Sequence, residues 1–184
     1  EVNIIVLSDH GQTTYNKEKP PFVLSDYIYT GHAPLVGGGS YLFIHLADED
    51  LHRANEFAMT VNRNWEHGRA YTRDSAPADW HVTDNPRFPD LILMPEPGYA
   101  VIPVAGGKPL AGDHGWAPEV PAMHGFFIAS GPNIKPGVSL GPVSMVDVYP
   151  LMTAILGLES ADNIDGDSGK LAEALRTAGD LIQE

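Results

Sequence analysis

The stretch "NIIVLSDHGQ", residues 3–12, is a run of aliphatics that ends abruptly at an acid, an imidazole and a glycine. From Val2 to Leu7 it is apolar on both faces, broken only by Asn3, the pattern of a parallel strand covered by helices above and below. Ser8, Asp9, His10 and Gly11 then fall where the strand leaves the sheet, and in open α/β sheets that carboxyl edge is where ligands bind. In a continuing strand Asp9 and His10 would point to opposite faces. A turn at Gly11 lets the carboxylate and the imidazole converge, as a divalent cation requires. Taken alone, the dipeptide is more simply an Asx-turn beside a surface histidine.

A second Asp-His-Gly triplet, Asp113, His114 and Gly115, shifts that balance. It lies in a Gly-rich loop ahead of the apolar strand "GFFIASG" (125–131), so two loops of similar chemistry each join an apolar strand. The pairing supports one shared metal centre drawing on Asp9, His10 and His114. His124, leading directly into a strand, and His81, beside Trp80, are read as structural; His32, His45, His52 and His67 have no second ligand at useful spacing, and the last two are read as solvated positions on a helix. Phosphate cradles fail on inspection. Gly37 to Gly39 lead into a strand, which aims no helix N-terminus at a ligand. Gly106-Gly107-Lys108 is followed by Pro109 and lacks the Ser or Thr of a P-loop. In "ADNIDGDSG" (161–169) a calcium-loop register places Ala161 and Ala172 at ligand positions, so the stretch reads as a polar linker.

The chain has 184 residues, enough for one domain over 1–184 that buries roughly 70% of its unfolded surface. It starts with Glu1, one residue before a strand of central type, and so reads as the C-terminal portion of a longer protein. No stretch approaches the ~18 apolar residues of a membrane span. Eleven Lys plus Arg against 24 Asp plus Glu give a formal charge of -13, which argues against a nucleic-acid duplex as partner. A small phosphate would need metal ions to reverse the local field. With no cysteine there is no thiolate, so any metal must use His, Asp or Glu.

Along the chain, "SYLFIHL" (40–46) suits a strand. Leu51, Ala54, Phe57, Ala58, Val61 and Trp65 recur at helical spacing until Gly68. "RAYTRD" (69–74) is a further candidate strand, and "DLILM" (90–94) and "YAVIPV" (99–104) read as a strand pair joined by a tight loop. Asp147 is the expected N-cap of a helix from Val148 to Leu156, with Pro150 in its first turn and Gly157 at its end. A last helix is expected at about 168–181.

Four blocks in fixed order carry a family resemblance: "NIIVLSDHGQ", "NPRFPDLILMPEPGYAV" (85–101), "GDHGWAPEVPAMHGFFIASGPNIKPG" (112–137) and "VDVYPLMTAILGL" (146–158). Together they resemble the nucleotide pyrophosphatase/phosphodiesterase family of the alkaline phosphatase superfamily. The resemblance implies an α/β fold, a mostly parallel sheet flanked by helices, here lacking its N-terminal elements. It also implies two zinc ions. One is held by the Asp-His pair of an SDHG segment with an earlier Asp and a Thr or Ser nucleophile, the other by the His of a GxHG loop with an upstream Asp and His. Carried over, Asp9 and His10 match the first pair and His114 the second loop. Gln12 stands where the family usually has Met, and Trp116-Ala117-Pro118 departs from the usual residues after the later His-Gly.

The expected activity is thus metal-dependent hydrolysis of a small phosphodiester or nucleotide pyrophosphate. A phosphomonoesterase or phosphonate hydrolase of the same superfamily shares these ligands. With the nucleophile and three metal-binding residues expected ahead of Glu1, the isolated chain is expected to be inactive, and a degenerate, non-catalytic fragment is the competing class. Family members commonly act outside the cytoplasm, so a periplasmic or secreted location is expected; oligomeric state is not legible.

Overall fold

The computed structural model describes residues 2–83, 85, 87–167 and 169–176. Its strands run in the order β1 (Ile4–Leu7), β2 (Thr13–Thr14), β3 (Phe22–Val23), β4 (Leu35–Gly37) and β5 (Leu42–Ile44), then helix α1 (Ala54–Asn64). After it come β6 (Gly68–Thr72), β7 (Leu91–Pro95), β8 (Val101–Ile102), β9 (Gly112–Asp113), β10 (Phe127–Ser130) and helix α2 (Val148–Leu156). The chain divides into two compact units, one of Glu1–Asp9 with Gly125–Glu184, the other of His10–His124.

In the unit His10–His124 the apolar alternation of "LFI" and "LIL" sets up an antiparallel sheet of order β4-β5-β7-β6. Leu42 faces Leu93 and Ile44 faces Leu91 across β5 and β7, and all four are fully buried. Phe57, Ala58 and Val61 come from one face of α1 and join them in a single core with Trp65, Phe22 and Leu24. A 3-10 segment, Asp48–Arg53, precedes α1, which is why Leu51 stays largely exposed although it fits the helical spacing. At the β6 edge the Asn62 amide imitates a neighbouring strand: its Nδ2 donates to the Ala70 carbonyl at 2.9 Å and its Oδ1 accepts the Ala70 N–H at 2.7 Å. An edge capped in this way offers fewer free groups to another chain.

Two short ladders extend this unit. β3 pairs in parallel with β8, and β2 pairs antiparallel with β9, Thr13 opposite Asp113. The expected strand pair at 90–104 forms both strands, but they are not each other's partners. β7 lies between β5 and β6, while β8 pairs with β3. Gly68 opens β6 instead of merely ending the helix, and His67 lies beyond α1, its ring stacked on Tyr99 at 3.9 Å.

The other unit holds β1 and β10, paired antiparallel with Ile4 opposite Ser130 and Leu7 opposite Phe127. Here the expectation of a buried parallel strand is corrected: Ile4 and Val6 are 58% and 49% exposed, and Ile128 on the partner strand is 61% exposed. Aliphatic composition specifies a strand, but hydropathy on both faces does not say that anything within the same chain covers it. Of the six ladders among the described residues only β3 with β8 is parallel, so the mostly parallel sheet is not what these strands form.

Helix α2 has the expected bounds, with Gly157 in the left-handed conformation at its C-terminus. Asp147 precedes the helix, yet its side chain makes no capping bond. It is fully buried; its Oδ1 accepts the Asp167 N–H at 2.9 Å and its Oδ2 lies 3.8 Å from Lys170 Nζ. The stretch 161–169, read as a linker, is thus tied back to the start of α2. The described part of the expected helix 168–181 holds a 3-10 turn, Ala172–Ala174, and a bridge from Leu175 to Ile134, so it is not α-helical there; residues 177–181 lie outside the described residues.

Burial separates the two apolar strands energetically. Truncating a buried Leu to Ala costs about 2–5 kcal/mol, whereas a largely exposed position costs roughly 0.5 kcal/mol. Leu93→Ala will therefore shift the urea midpoint of the chain strongly and Ile4→Ala hardly at all, and comparable shifts would contradict the burial described for β1 and β7.

Candidate metal centre

The ladder of β1 and β10 runs on to Ser8, whose N–H donates to the Phe126 carbonyl at 3.1 Å and whose Oγ accepts the Phe126 N–H at 3.0 Å. Asp9 follows, exposed, as the last residue of its segment in that unit. His10 opens the other unit.

At Gly11 the chain comes close to another backbone segment. Its N–H donates to the Met123 carbonyl at 2.8 Å, and a Cβ there would overlap the Ala122 carbonyl oxygen. Only glycine permits that approach, so the turn expected after Asp9-His10 has a steric reason. His10 Nδ1 lies 2.7 Å from the Gly11 carbonyl oxygen. Because a carbonyl only accepts, Nδ1 must carry the proton, and a neutral ring then keeps its lone pair on Nε2. A backbone carbonyl on one ring nitrogen is the usual way a metal-binding imidazole is oriented.

The second triplet is held more elaborately. β9 ends at Asp113, and Asp113 Oδ1 accepts the N–H of His114 at 2.9 Å. The Tyr15 hydroxyl, from the segment just after β2, donates to Asp113 Oδ2 at 2.7 Å. Burial first, then the hydrogen bond to Asp113 and its negative charge, push the Tyr15 hydroxyl far above the ordinary phenol range, which keeps it a donor. Ser40 Oγ donates to the His114 carbonyl at 2.5 Å. Trp116 is buried, 5.1 Å from Tyr15 between ring centroids, and its Nε1 donates to the Glu96 carbonyl at 3.1 Å.

These contacts bring two of the three expected ligands together: the His10 and His114 rings stack with centroids 3.7 Å apart and planes 10° from parallel. Both residues are exposed. Imidazole lone pairs lie in the ring plane, so two stacked parallel rings do not both aim at one point between them. The donor types suit zinc, which takes imidazole and carboxylate. Among the described residues no group of three or more His, Cys, Asp or Glu side chains is placed to hold a metal ion.

Of the histidines set aside, His124 and His81 are exposed, and His67 meets Glu96 at 3.2 Å through Nδ1. Tyr15 and Ser40 escaped sequence reasoning. The available signal was Gly37 to Gly39, which fails as a phosphate cradle but leads directly into Ser40.

A model of the family described as type I phosphodiesterase / nucleotide pyrophosphatase matches residues 1–117. Bis(5'-adenosyl)-triphosphatase of Xenopus laevis is 29% identical over 162 residues, covering 88% of this chain and 34% of that protein. Ectonucleotide pyrophosphatase/phosphodiesterase family member 7 of Rattus norvegicus is 27% identical over 192 residues, covering all of this chain and 42% of that protein. Among solved structures, human ectonucleotide pyrophosphatase/phosphodiesterase 5 superposes with a TM-score of 0.84 at 23% identity, over 95% of this chain and 46% of that one. The murine counterpart, solved as an inactive variant in complex with AMP, also gives 0.84, at 22% identity over 95% of this chain and 45% of that one. The structural likeness establishes an alkaline-phosphatase-like fold over part of those chains, and the chain spans about a third to a half of the length of the relatives it matches. With more than half of its residues matched by the family model, the chain belongs to the type I phosphodiesterase / nucleotide pyrophosphatase family.

Proposed function

We propose that this chain is part of a zinc-dependent hydrolase of phosphodiester or pyrophosphate bonds, in which Asp9 and His10 serve one of two zinc ions and His114 the other. The observation that carries the reading is the parallel stack of His10 and His114 at 3.7 Å, formed by loops from opposite ends of the unit His10–His124. When bound, the two ions would neutralise phosphoryl charge and lower the pKa of an attacking hydroxyl. The residues present supply orientation. Gly11 O accepts from His10 Nδ1 and orients that ring, while the hydrogen bonds on Asp113 and on the His114 carbonyl hold the second imidazole beside the first. The attacking hydroxyl is not assigned to a residue of this chain.

A nucleotide is the substrate class we favour, in keeping with the AMP complex of the murine relative and the adenosyl-triphosphatase name of the amphibian one. A formal charge of -13 disfavours a nucleic-acid duplex. Among the described residues no helix is long and apolar enough to cross a membrane. A periplasmic or secreted location accords with the "ecto" in the relatives' names.

A second reading concerns the chain by itself. With no three-ligand group among the described residues, the isolated polypeptide is expected to be inactive. Equilibrium dialysis of the chain against micromolar zinc should show binding well below stoichiometric; tight stoichiometric binding would count against this reading.

In the complete protein, hydrolysis of bis(p-nitrophenyl) phosphate should exceed that of p-nitrophenyl phosphate, and His114→Ala should lower it more than about 100-fold, beyond the 10–100-fold typical of groups behind a ligand. A variant that keeps wild-type turnover removes His114 from the metal shell, and a preference for the monoester reassigns the chain to a phosphomonoesterase.

A further inference from the structure

We propose that Tyr15, Ser40 and Gly39 form a positioning device for His114: a buried cradle that fixes the backbone on both sides of this exposed imidazole so that it stays stacked on His10. The idea rests on the reading of His114 as a metal ligand, but its geometry stands apart from any metal.

Three groups far from His114 in sequence converge on the Asp113–His114 segment. The Tyr15 hydroxyl donates to Asp113 Oδ2 at 2.7 Å across 98 positions of sequence. That leaves Asp113 Oδ1 to accept the His114 N–H at 2.9 Å, so the side chain is held at both oxygens. Ser40, 1% exposed, donates to the His114 carbonyl. The peptide groups on either side of the His114 Cα are thereby tied down, and little beyond the side-chain torsions remains to be fixed.

Gly39 makes room for this arrangement. It adopts φ +115°, and a Cβ there would overlap the Tyr15 hydroxyl and come within 2.9 Å of Asp113 Oδ2. Its N–H donates to the Val101 carbonyl at 2.7 Å and its carbonyl accepts the Val101 N–H at 2.9 Å. Val101 is fully buried, so the cradle is anchored in the core of the unit. This gives the triple glycine a role that neither a phosphate loop nor a plain strand entry supplies. Tyr15, itself 8% exposed and in contact with buried Trp116, is likewise a core residue whose one polar atom points at the candidate site.

The chain can be tested without metal, through the nuclear Overhauser effect between the His10 and His114 ring protons, and then with zinc, through the concentration that half-shifts the His114 ring nitrogens. Tyr15→Phe and Ser40→Ala should each reduce the ring-to-ring effect at least twofold and raise that zinc concentration about tenfold, the range for groups behind a ligand. Tyr71→Phe, on β6 and outside the cradle, should change neither. Full ring contact in both variants at an unchanged thermal midpoint overturns the proposal. If Tyr15→Phe fails to fold, Ser40→Ala and Asp113→Asn decide the matter on the same two readouts. Lost ring contact in the two variants supports the cradle even where the isolated chain, whose metal shells are incomplete, shows no zinc-induced shift; absence of that shift in the complete protein removes the zinc reading alone. Intact contact together with wild-type zinc response supports zinc and removes the cradle.

Discussion

The two-residue ladder in which Thr13 faces Asp113 is the constraint on which the candidate site depends. It is short, and alone it would not survive in water, since even a complete two-stranded hairpin is marginal. What sustains it is its surroundings. Gly11 is bonded to Met123 on one side, Tyr15 reaches Asp113 on the other, and Tyr15, Ala100, Trp116 and Met123 form a small apolar cluster. The entropy of closing a loop grows only slowly with its length. A modest apolar cluster can therefore hold two sequence-distant loops together once the main core has formed. The register then matters more than the strength: β2 opposite β9 brings the backbone after Gly11 alongside the backbone before His114, and the two imidazoles end up face to face.

The larger core of the same unit explains why that cluster has something rigid to rest on. Leu42, Ile44, Leu91, Leu93 and Val101 are fully excluded from solvent, and Val101 passes that rigidity to Gly39 through a pair of backbone bonds. From sheet to glycine to tyrosine to aspartate, each link is a hydrogen bond or a packed surface with one geometry. The exposed end of the chain of contacts is the His114 imidazole.

Features that depend on neighbours in sequence were legible beforehand. Helix α2 was bounded by Pro150 in its first turn and Gly157 past its end, and both act locally, within one turn of helix. The turn at Gly11 was equally readable, because a glycine after a strand signals a change of direction whatever lies around it. Strand partnership was not legible, since whether β7 pairs with β8 or with β5 and β6 is decided by side chains fifty residues away. Burial of β1 misled for a related reason: an apolar run states what a strand would bury, and the cover must come from elsewhere. Asp147 shows the same limit, for a residue at the start of a helix is a plausible cap, yet its carboxylate is drawn to Asp167. Tyr15 and Ser40 lay in loops with no periodicity and no motif of their own, and their meaning appears only once Asp113 and His114 stand beside them.

The charge of the chain bears on the proposed zinc ions. A chain with a formal charge of -13 repels phosphates at long range. One nearby carboxylate, Asp113, is occupied by the Tyr15 hydroxyl and the His114 N–H, so it serves the scaffold instead of the site. What remains at the surface is the His10–His114 pair, in a protein otherwise ill suited to attract a phosphate. Under the proposed function, two divalent cations there would turn a repulsive region into one that attracts a phosphoryl group.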